Sequence, residues 1–421
     1  MVYAIILFVI TYVLMMIFQK QRPLIALISA AIFIISGMLP LSQVLPAVDF
    51  NVLMMIAGTM GTVALMIESK MPQLLADILV EKVPNVKWAI VMLAIFAGVV
   101  SAFIDNVATV LMIAPIALAM AKKQNISPVG MIIAIAVSSN LQGAATLVGD
   151  TTSILLGGYA GMDFMDFFWY KDAPSIFWAV ELGATISASL LLIIFKSETD
   201  PVTVTERTKV TDYVPSILML GTVIALIIAS FIPNTPALIN GIICMVIMLI
   251  GVIYHVIRNK SLKASLSIFK EIDFETILLL FGLFIVVGGI KAMGVIDALA
   301  SLFAKIGSGN VFVIYTLITW MSVIFSAFID NIPYVATMLP VVQGIASALG
   351  IDPTLLYFGL LSGATLGGNL TPIGASANIA GIGILRKEGC EVTNGDFFKI
   401  GIPFTLSAII PAYIFFLIFY Y

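Results

Sequence analysis

Charge is scarce in this chain. Only 10% of its 421 residues are Asp, Glu, Lys or Arg, whereas 61% are hydrophobic. Soluble domains carry about 25% charged and about 45–50% apolar residues, so these charges are too few to clothe a water-soluble surface. Histidine is almost missing. His255 stands alone at the end of an apolar run, where an interfacial residue is expected rather than a ligand. The two cysteines, Cys244 in an apolar run and Cys390 in a polar loop, predict neither a disulfide nor a metal cluster. One histidine, and neither H-E-x-x-H nor G-x-S-x-G, leave an intramembrane enzyme little support. No basic region precedes the apolar run that starts at Val2, and no small-residue cleavage site follows it. That run therefore reads as a span and not as a cleaved leader.

What is present is a series of uncharged stretches long enough to cross a hydrocarbon core, about 20 residues each. The alternating ten-residue segments of an outer-membrane barrel are not seen. The fold class is an all-α polytopic membrane protein. Spans are expected near 2–18, 23–40 and 49–67, followed by a short amphipathic stretch at 71–83. A long apolar region, 88–121, is interrupted only by Asp105-Asn106. A Gly-rich region, 129–160, is interrupted around Asp150, and a span at 174–195 follows. Residues 197–212 read as a polar cytoplasmic linker. The order then recurs: spans near 213–231, 236–257 and 273–292, a short stretch at 294–305, and a region 311–349 broken by Asp330-Asn331. A Gly-rich region, 353–385, and a last span, 398–420, complete it.

The repeat shows in letters too. SAFIDN stands at 101–106 and again at 326–331, an offset of 225 (326 − 101). At that offset ATLVGDTTSI (145–154) aligns with LTPIGASANI (370–379). VDFNVLMMIAG (48–58) aligns with IDFETILLLFG (272–282) one residue out of step. Internal duplication of this kind marks many transporter folds. The halves are 1–196 and 213–421. With the first loop placed in the cytoplasm, all of the 20 basic residues but Lys171, Lys291 and Lys305 fall on the inner side. That count takes each interrupted region as a hairpin that enters and leaves on one side, which gives ten spans plus two hairpins, with both termini outside and the halves inverted.

A carboxylate at mid-membrane costs at least about 2.5–3.5 kcal/mol, so it usually marks an ion or proton path. Asp105 and Asp330 sit in apolar surroundings, each followed by Asn106 or Asn331 and a helix-forming run. A break there would expose carbonyls that suit a cation and N–H groups that suit an anion. The competing reading makes each Asp a helix N-cap in a watery turn. The charge distribution fits both depths of the turn. Asp150, in GAATLVGDTT beside Thr146 and Gly149, is either a buried proton carrier or an exposed loop residue; its repeat partner is Ala375. Asn369, Thr371, Ser376 and Asn378 are bracketed by Gly367, Gly368, Pro372 and Gly374, which disfavour an unbroken helix. Asp49 and Asp273 read as N-caps, and Lys291 as a snorkelling side chain. No buried Arg or Lys is expected.

SAFIDNVATVLMIAPI and SAFIDNIPYVATMLPVV, with GAATLVGD and GGNLTPIGASAN, resemble the arsenite-permease and P-protein branch of the ion transporter superfamily. That superfamily also holds sodium/proton antiporters and sodium-coupled dicarboxylate transporters. The resemblance implies an inverted-repeat transporter fold in which 88–121 and 311–349 are re-entrant hairpins. It implies that 129–160 and 353–385 are broken helices facing their tips. By the same resemblance Ser101, Asp105, Asn106 and Gly149 line a first ion site. Ser326, Asp330, Asn331, Asn369, Thr371 and Asn378 line a second. Sodium would lie at Asp105, Asn106 and Gly149, and at Asp330, Asn331 and Asn378. The tips depart from the Ser-Asn-Thr of dicarboxylate members, and Gly149-Asp150-Thr151-Thr152-Ser153 departs from the Gly-Asp-Pro-Pro-Asn of many permeases. The function expected is proton- or sodium-coupled antiport or efflux, without a cofactor, of a cation or a neutral oxyacid such as arsenite. A sodium-coupled carboxylate symporter and a passive channel are the rivals. The partners expected are the substrate, the bilayer of the plasma membrane and, by the resemblance, a second copy of the chain; nucleic acid is not among them.

Overall fold

The computed structural model describes residues 1–202, 207–260, 268–307 and 309–421. Residues 203–206 of the expected linker, and Lys263 of the charge distribution, lie outside the described residues. Among the described residues the chain is mainly helical, with one two-residue antiparallel strand pair at Trp169–Tyr170 and Ala173–Pro174. Seven described helices are long and apolar enough to cross a membrane: Phe50–Ser69, Asn106–Gln124, Ile176–Ile194, Ile239–Asn259, Phe274–Ala292, Asn331–Leu349 and Asn394–Tyr420. Val2–Ile17 and Gln19–Ile35 form a further apolar pair, bent by 120°.

Two packing layers run through the chain, each drawn from both halves of the sequence. In the first, Phe50–Ser69 lies against Ile239–Asn259, and Arg22–Ile35 lies against Phe274–Ala292. Small residues permit these approaches. A Cβ on Gly58 would meet Cys244 C at 2.4 Å, and one on Gly282 would meet Ala26 C at 2.8 Å. We refer to this layer as the scaffold. In the second layer, the core, Val86–Ser101 packs on Val129–Gly143 and Val311–Ser326 packs on Thr354–Gly367. The short amphipathic stretches form the helices Met71–Glu81 and Val295–Ile306.

Both long apolar regions break at their SAFIDN motifs. Val86–Ser101 ends and Asn106–Gln124 begins, leaving a tip at 102–105. Val311–Ser326 and Asn331–Leu349 leave an equivalent tip at 327–330. The following regions break as well. Val129–Gly143 stops before Thr151–Ala160, and Thr354–Gly367 stops before Ser376–Lys387. Asp150 (φ −142°, ψ 151°) and Ala375 (φ −137°, ψ 144°) hold nearly the same extended backbone at the start of the second pieces. Ser376–Lys387 crosses over to pack on Val129–Gly143, and Thr151–Ala160 packs on Asn331–Leu349. Each second piece therefore leans on the other half of the sequence.

Candidate functional site

Each tip is stitched to the break that follows it by the same contacts. Thr146 Oγ1 donates to Ala102 O, and Thr371 Oγ1 donates to Ala327 O. A Cβ on Gly149 would lie 2.6 Å from Gly143 O and 2.7 Å from both Ser101 O and Ala102 O. One on Gly374 would lie 2.6 Å from Gly368 O and 2.8 Å from both Ser326 O and Ala327 O. Only glycine admits three carbonyl oxygens this close. The result is a knot of partial negative charge at each tip.

The two knots differ in their side chains. Ser326 Oγ donates to Ala364 O, but the equivalent Ser101 Oγ is buried without a hydrogen-bond partner among the described residues. Asn378 donates to Gly368 O at 3.0 Å and to Thr371 O at 3.2 Å, and among the described residues its buried Oδ1 has no partner. Burying a polar atom without a partner costs about 1–3 kcal/mol. Both orphaned oxygens stand among the residues expected to hold ions.

The tip carboxylates do cap the helices that follow them. Asp105 Oδ2 accepts from Ala108 N at 3.0 Å, and Asp330 Oδ1 accepts from Ile332 N at 3.1 Å. Asp49 and Asp273 are N-caps as well, accepting from Val52 N and Thr276 N. Capping does not exhaust Asp330. Its Oδ2 lies 3.0 Å from Arg22 Nη1 and accepts from Ser376 Oγ at 3.2 Å. The expectation that no Arg or Lys is buried stands for Arg22 in the strict sense, but its side chain is only 17% exposed and reaches the second tip. Arg22 opens a helix that lies along Phe274–Ala292, and that docking carries it from the loop to the second tip.

Asp150 is 3% exposed, so the buried reading of this residue holds over the exposed one. It accepts from Thr152 Oγ1 at 3.0 Å, and Thr152 Oγ1 lies 3.2 Å from Thr365 Oγ1 of the other half. A second bridge centres on Asn140. Asn106 Nδ2 donates to Asn140 Oδ1 at 3.0 Å. Asn140 Nδ2 donates to Thr365 O at 2.7 Å and to Asn369 Oδ1 at 3.1 Å, and Asn369 Nδ2 donates to Val137 O at 2.9 Å. The first tip and the second break are thus joined by buried amides.

A cavity of about 180 Å³ opens between core and scaffold at this place. Asp105, Asn106, Asp150, Thr151, Asn331 and Ser376 line it from the core, and Glu271, Asp273 and Thr276 from the scaffold. Among the described residues that line it, none is Lys or Arg. Ser101, Thr146, Ser326, Asn369, Thr371 and Asn378 are not on this wall; they lie behind it, at the tip-to-break joints. Gly149 and Asp150 also line a small adjoining pocket with Thr59 and Ile154. At the opposite ends of the same scaffold helices lies a larger cavity of about 720 Å³, lined by Asp49, Asn51, Asp163, Asn240 and Lys291 among others. Lys291 therefore borders an inter-layer cavity. Arg22, Asn140, Glu271 and Thr276 were not legible as site residues. Asn140 had one available signal, an amide within an apolar run ten residues before Asp150.

Two broken helices meet two carboxylate-bearing tips beside a cavity, and comparison with known proteins places the chain among transporters. The citrate transporter family model matches residues 12–363. The chain belongs to the citrate transporter family. An uncharacterized transporter of Mycobacterium tuberculosis is 30% identical over 97% of this chain and 96% of its own length. The human P protein is 25% identical over 89% of this chain and 54% of its own length, so the resemblance to the P-protein branch is borne out. Among solved structures, the YdaH transporter of Alcanivorax borkumensis superposes with a TM-score of 0.59 at 15% identity. That match covers 89% of this chain and 87% of the other. The family member described here is a multi-pass membrane transporter and not an enzyme.

Proposed function

We propose that the chain is a secondary active transporter that couples its cargo to protons or sodium ions, by exchange, with both ion positions at the tip-to-break joints. One observation carries this reading. The cavity between the layers gathers Asp105, Asp150, Glu271 and Asp273 without a lining Lys or Arg. Such a wall attracts a cation and repels an anion, so the cargo it suits is a cation or a small oxyacid that is neutral at pH 7. Ser101 Oγ, the carbonyls around Gly149 and the Asp105 carboxylate supply the first position. Asn378 Oδ1, the carbonyls around Gly374, Asn331 and the Asp330 carboxylate supply the second. The breaks at 102–105 and 327–330, each stitched to the following break through Thr146 or Thr371, support re-entrant tips. In this reading the halves are inverted, ten spans surround the two hairpins, and both termini lie outside. Sliding of core against scaffold would open the two cavities in turn.

The test is flux into proteoliposomes under an imposed proton or sodium gradient. Gradient-driven exchange that is lost in Asp105→Asn and in Asp150→Asn supports the reading. Flux that ignores both gradients and both substitutions defeats it. A second reading, sodium-coupled carboxylate symport, is favoured by the family's description as citrate transporters and by a structural feature. The helix N-termini at Asn106, Thr151, Asn331 and Ser376 all reach the cavity. Sodium-dependent uptake of labelled citrate would select it.

A further inference from the structure

The twin carboxylates are identical in sequence and unequal in surroundings. Asp105 lines the cavity. Asp330 sits one side chain behind its wall, reached through Ser376, and is paired with Arg22 at 3.0 Å. Arg22 is held on the scaffold side. Its Nε donates to Met15 O at 3.3 Å, and its helix is pressed on Phe274–Ala292 at Ala26 and Gly282. A second contact accompanies it: Tyr12 Oη donates to Pro333 O at 2.8 Å, one turn beyond Asp330. The pair therefore joins the scaffold to the tip that must move if the layers slide.

We propose that Arg22 is a tethered cation, filling the position beside Asp330 in this conformation and competing with a free monovalent cation for it. The chemistry is direct. A guanidinium does not give up its proton in proteins, so Asp330 faces a permanent positive charge while the pair is closed. A carboxylate already neutralised and bonded offers little to a free ion. When Arg22 withdraws, the same carboxylate, with Ser376 Oγ beside it, becomes a cation site. Such a device keeps the second position from being empty and charged inside the membrane, where an uncompensated charge is costly. It deepens the ion-coupled reading above and rests on it for its role in transport, but the competition itself does not require flux.

The experiment is equilibrium binding of sodium, lithium and potassium to the purified full chain in detergent at pH 8. Arg22→Gln should bind at least one of these cations about ten-fold or more tightly than wild type. Arg22→Lys, which keeps the charge, should stay near wild type. Arg22→Gln combined with Asp330→Asn should lose the gain. A folded, monodisperse Arg22→Gln protein that binds none of the three more tightly than wild type overturns the proposal and leaves the pair a structural staple. Wild type provides a measurement that does not depend on the variant folding. High concentrations of the competing cation should raise phenylglyoxal labelling of Arg22, read by mass spectrometry, and labelling indifferent to all three cations also overturns the proposal. If the binding gain appears while proteoliposomes show no gradient-driven flux, the competition stands and the coupled-transport reading falls.

Discussion

Replacing Gly149 with Ala perturbs the first tip at its most crowded point. The added Cβ would lie 2.6–2.7 Å from the carbonyl oxygens of Gly143, Ser101 and Ala102. An ordinary carbon-to-oxygen contact is ~3.3 Å, so tip and break must separate by about 0.6 Å. No flexible side chain is available to yield, because all three obstacles are backbone. Overpacking of this kind costs about 1–3 kcal/mol. The separation also strains the Thr146-to-Ala102 hydrogen bond, which is worth a further ~0.5–1.5 kcal/mol. The expected loss is therefore about 1.5–4.5 kcal/mol. Gly374→Ala meets the equivalent obstacles and should lose as much. Gly383→Ala is the control: its Cβ meets nothing within 4 Å, and on helix Ser376–Lys387 it should be neutral or slightly stabilising. Unfolding in dodecylmaltoside–SDS mixtures gives the stability, and proteoliposome flux gives the function. Flux should fall about ten-fold or more in both damaging variants, since sub-ångström misplacement of a site is costly. If Gly149→Ala matched Gly383→Ala in both assays, the tight tip-to-break joint would not be what builds the site.

Asp105→Asn should separate capping from charge. Asn caps as well as Asp, so stability should change by less than about 0.5 kcal/mol while ion-driven flux is lost; Asp105→Ala should lose a further ~1 kcal/mol of stability. Asn140→Ala strips partners from Asn106 Nδ2, Thr365 O and Asn369 Oδ1, and should cost about 2–4 kcal/mol in the same unfolding assay. At the surface, the Arg207 guanidinium hydrogen-bonded to Glu81 holds that carboxyl below its ordinary pKa of 4.5. A lowered folded pKa contributes stability above the unfolded value, and that contribution fades as pH falls through the folded one. The melting temperature of wild type should thus decline below pH 4.5 more than that of Arg207→Gln; parallel curves would show that the pair does not hold the helix Met71–Glu81 to the linker.

Much of the architecture was legible because membranes impose simple rules on sequence. Apolar length and the two SAFIDN interruptions located the breaks to within a few residues. The expected region 88–121 appears as Val86–Ser101 and Asn106–Gln124, and 353–385 appears as Thr354–Gly367 and Ser376–Lys387. The candidate residues were legible where their chemistry was out of place: a buried Asp or Asn in an apolar run announces itself. What could not be read was pairing across the fold. Arg22 lies 308 residues from Asp330, and it looked like an ordinary basic residue in a loop. Only the docking of Arg22–Ile35 along Phe274–Ala292 brings it to the second tip. Glu271 was hidden for a similar reason, standing near a helix start where an acidic residue is unremarkable. Repetition did not make the halves equal, as Asp150 against Ala375 already indicated, although the hydrogen bonds at both joints do repeat, from Thr146 to Ala102 and from Thr371 to Ala327. Yet side chains outside the repeat decide what each carboxylate faces. Asp105 faces a cavity with Asp150 on its wall, while Asp330 faces a guanidinium with Ala375 where that Asp would stand. The charge surroundings therefore differ: the Asp105 carboxylate borders a cavity lined by further acids, whereas the Asp330 carboxylate is paired with Arg22, and this asymmetry is what the proposed ion-coupled reading builds on.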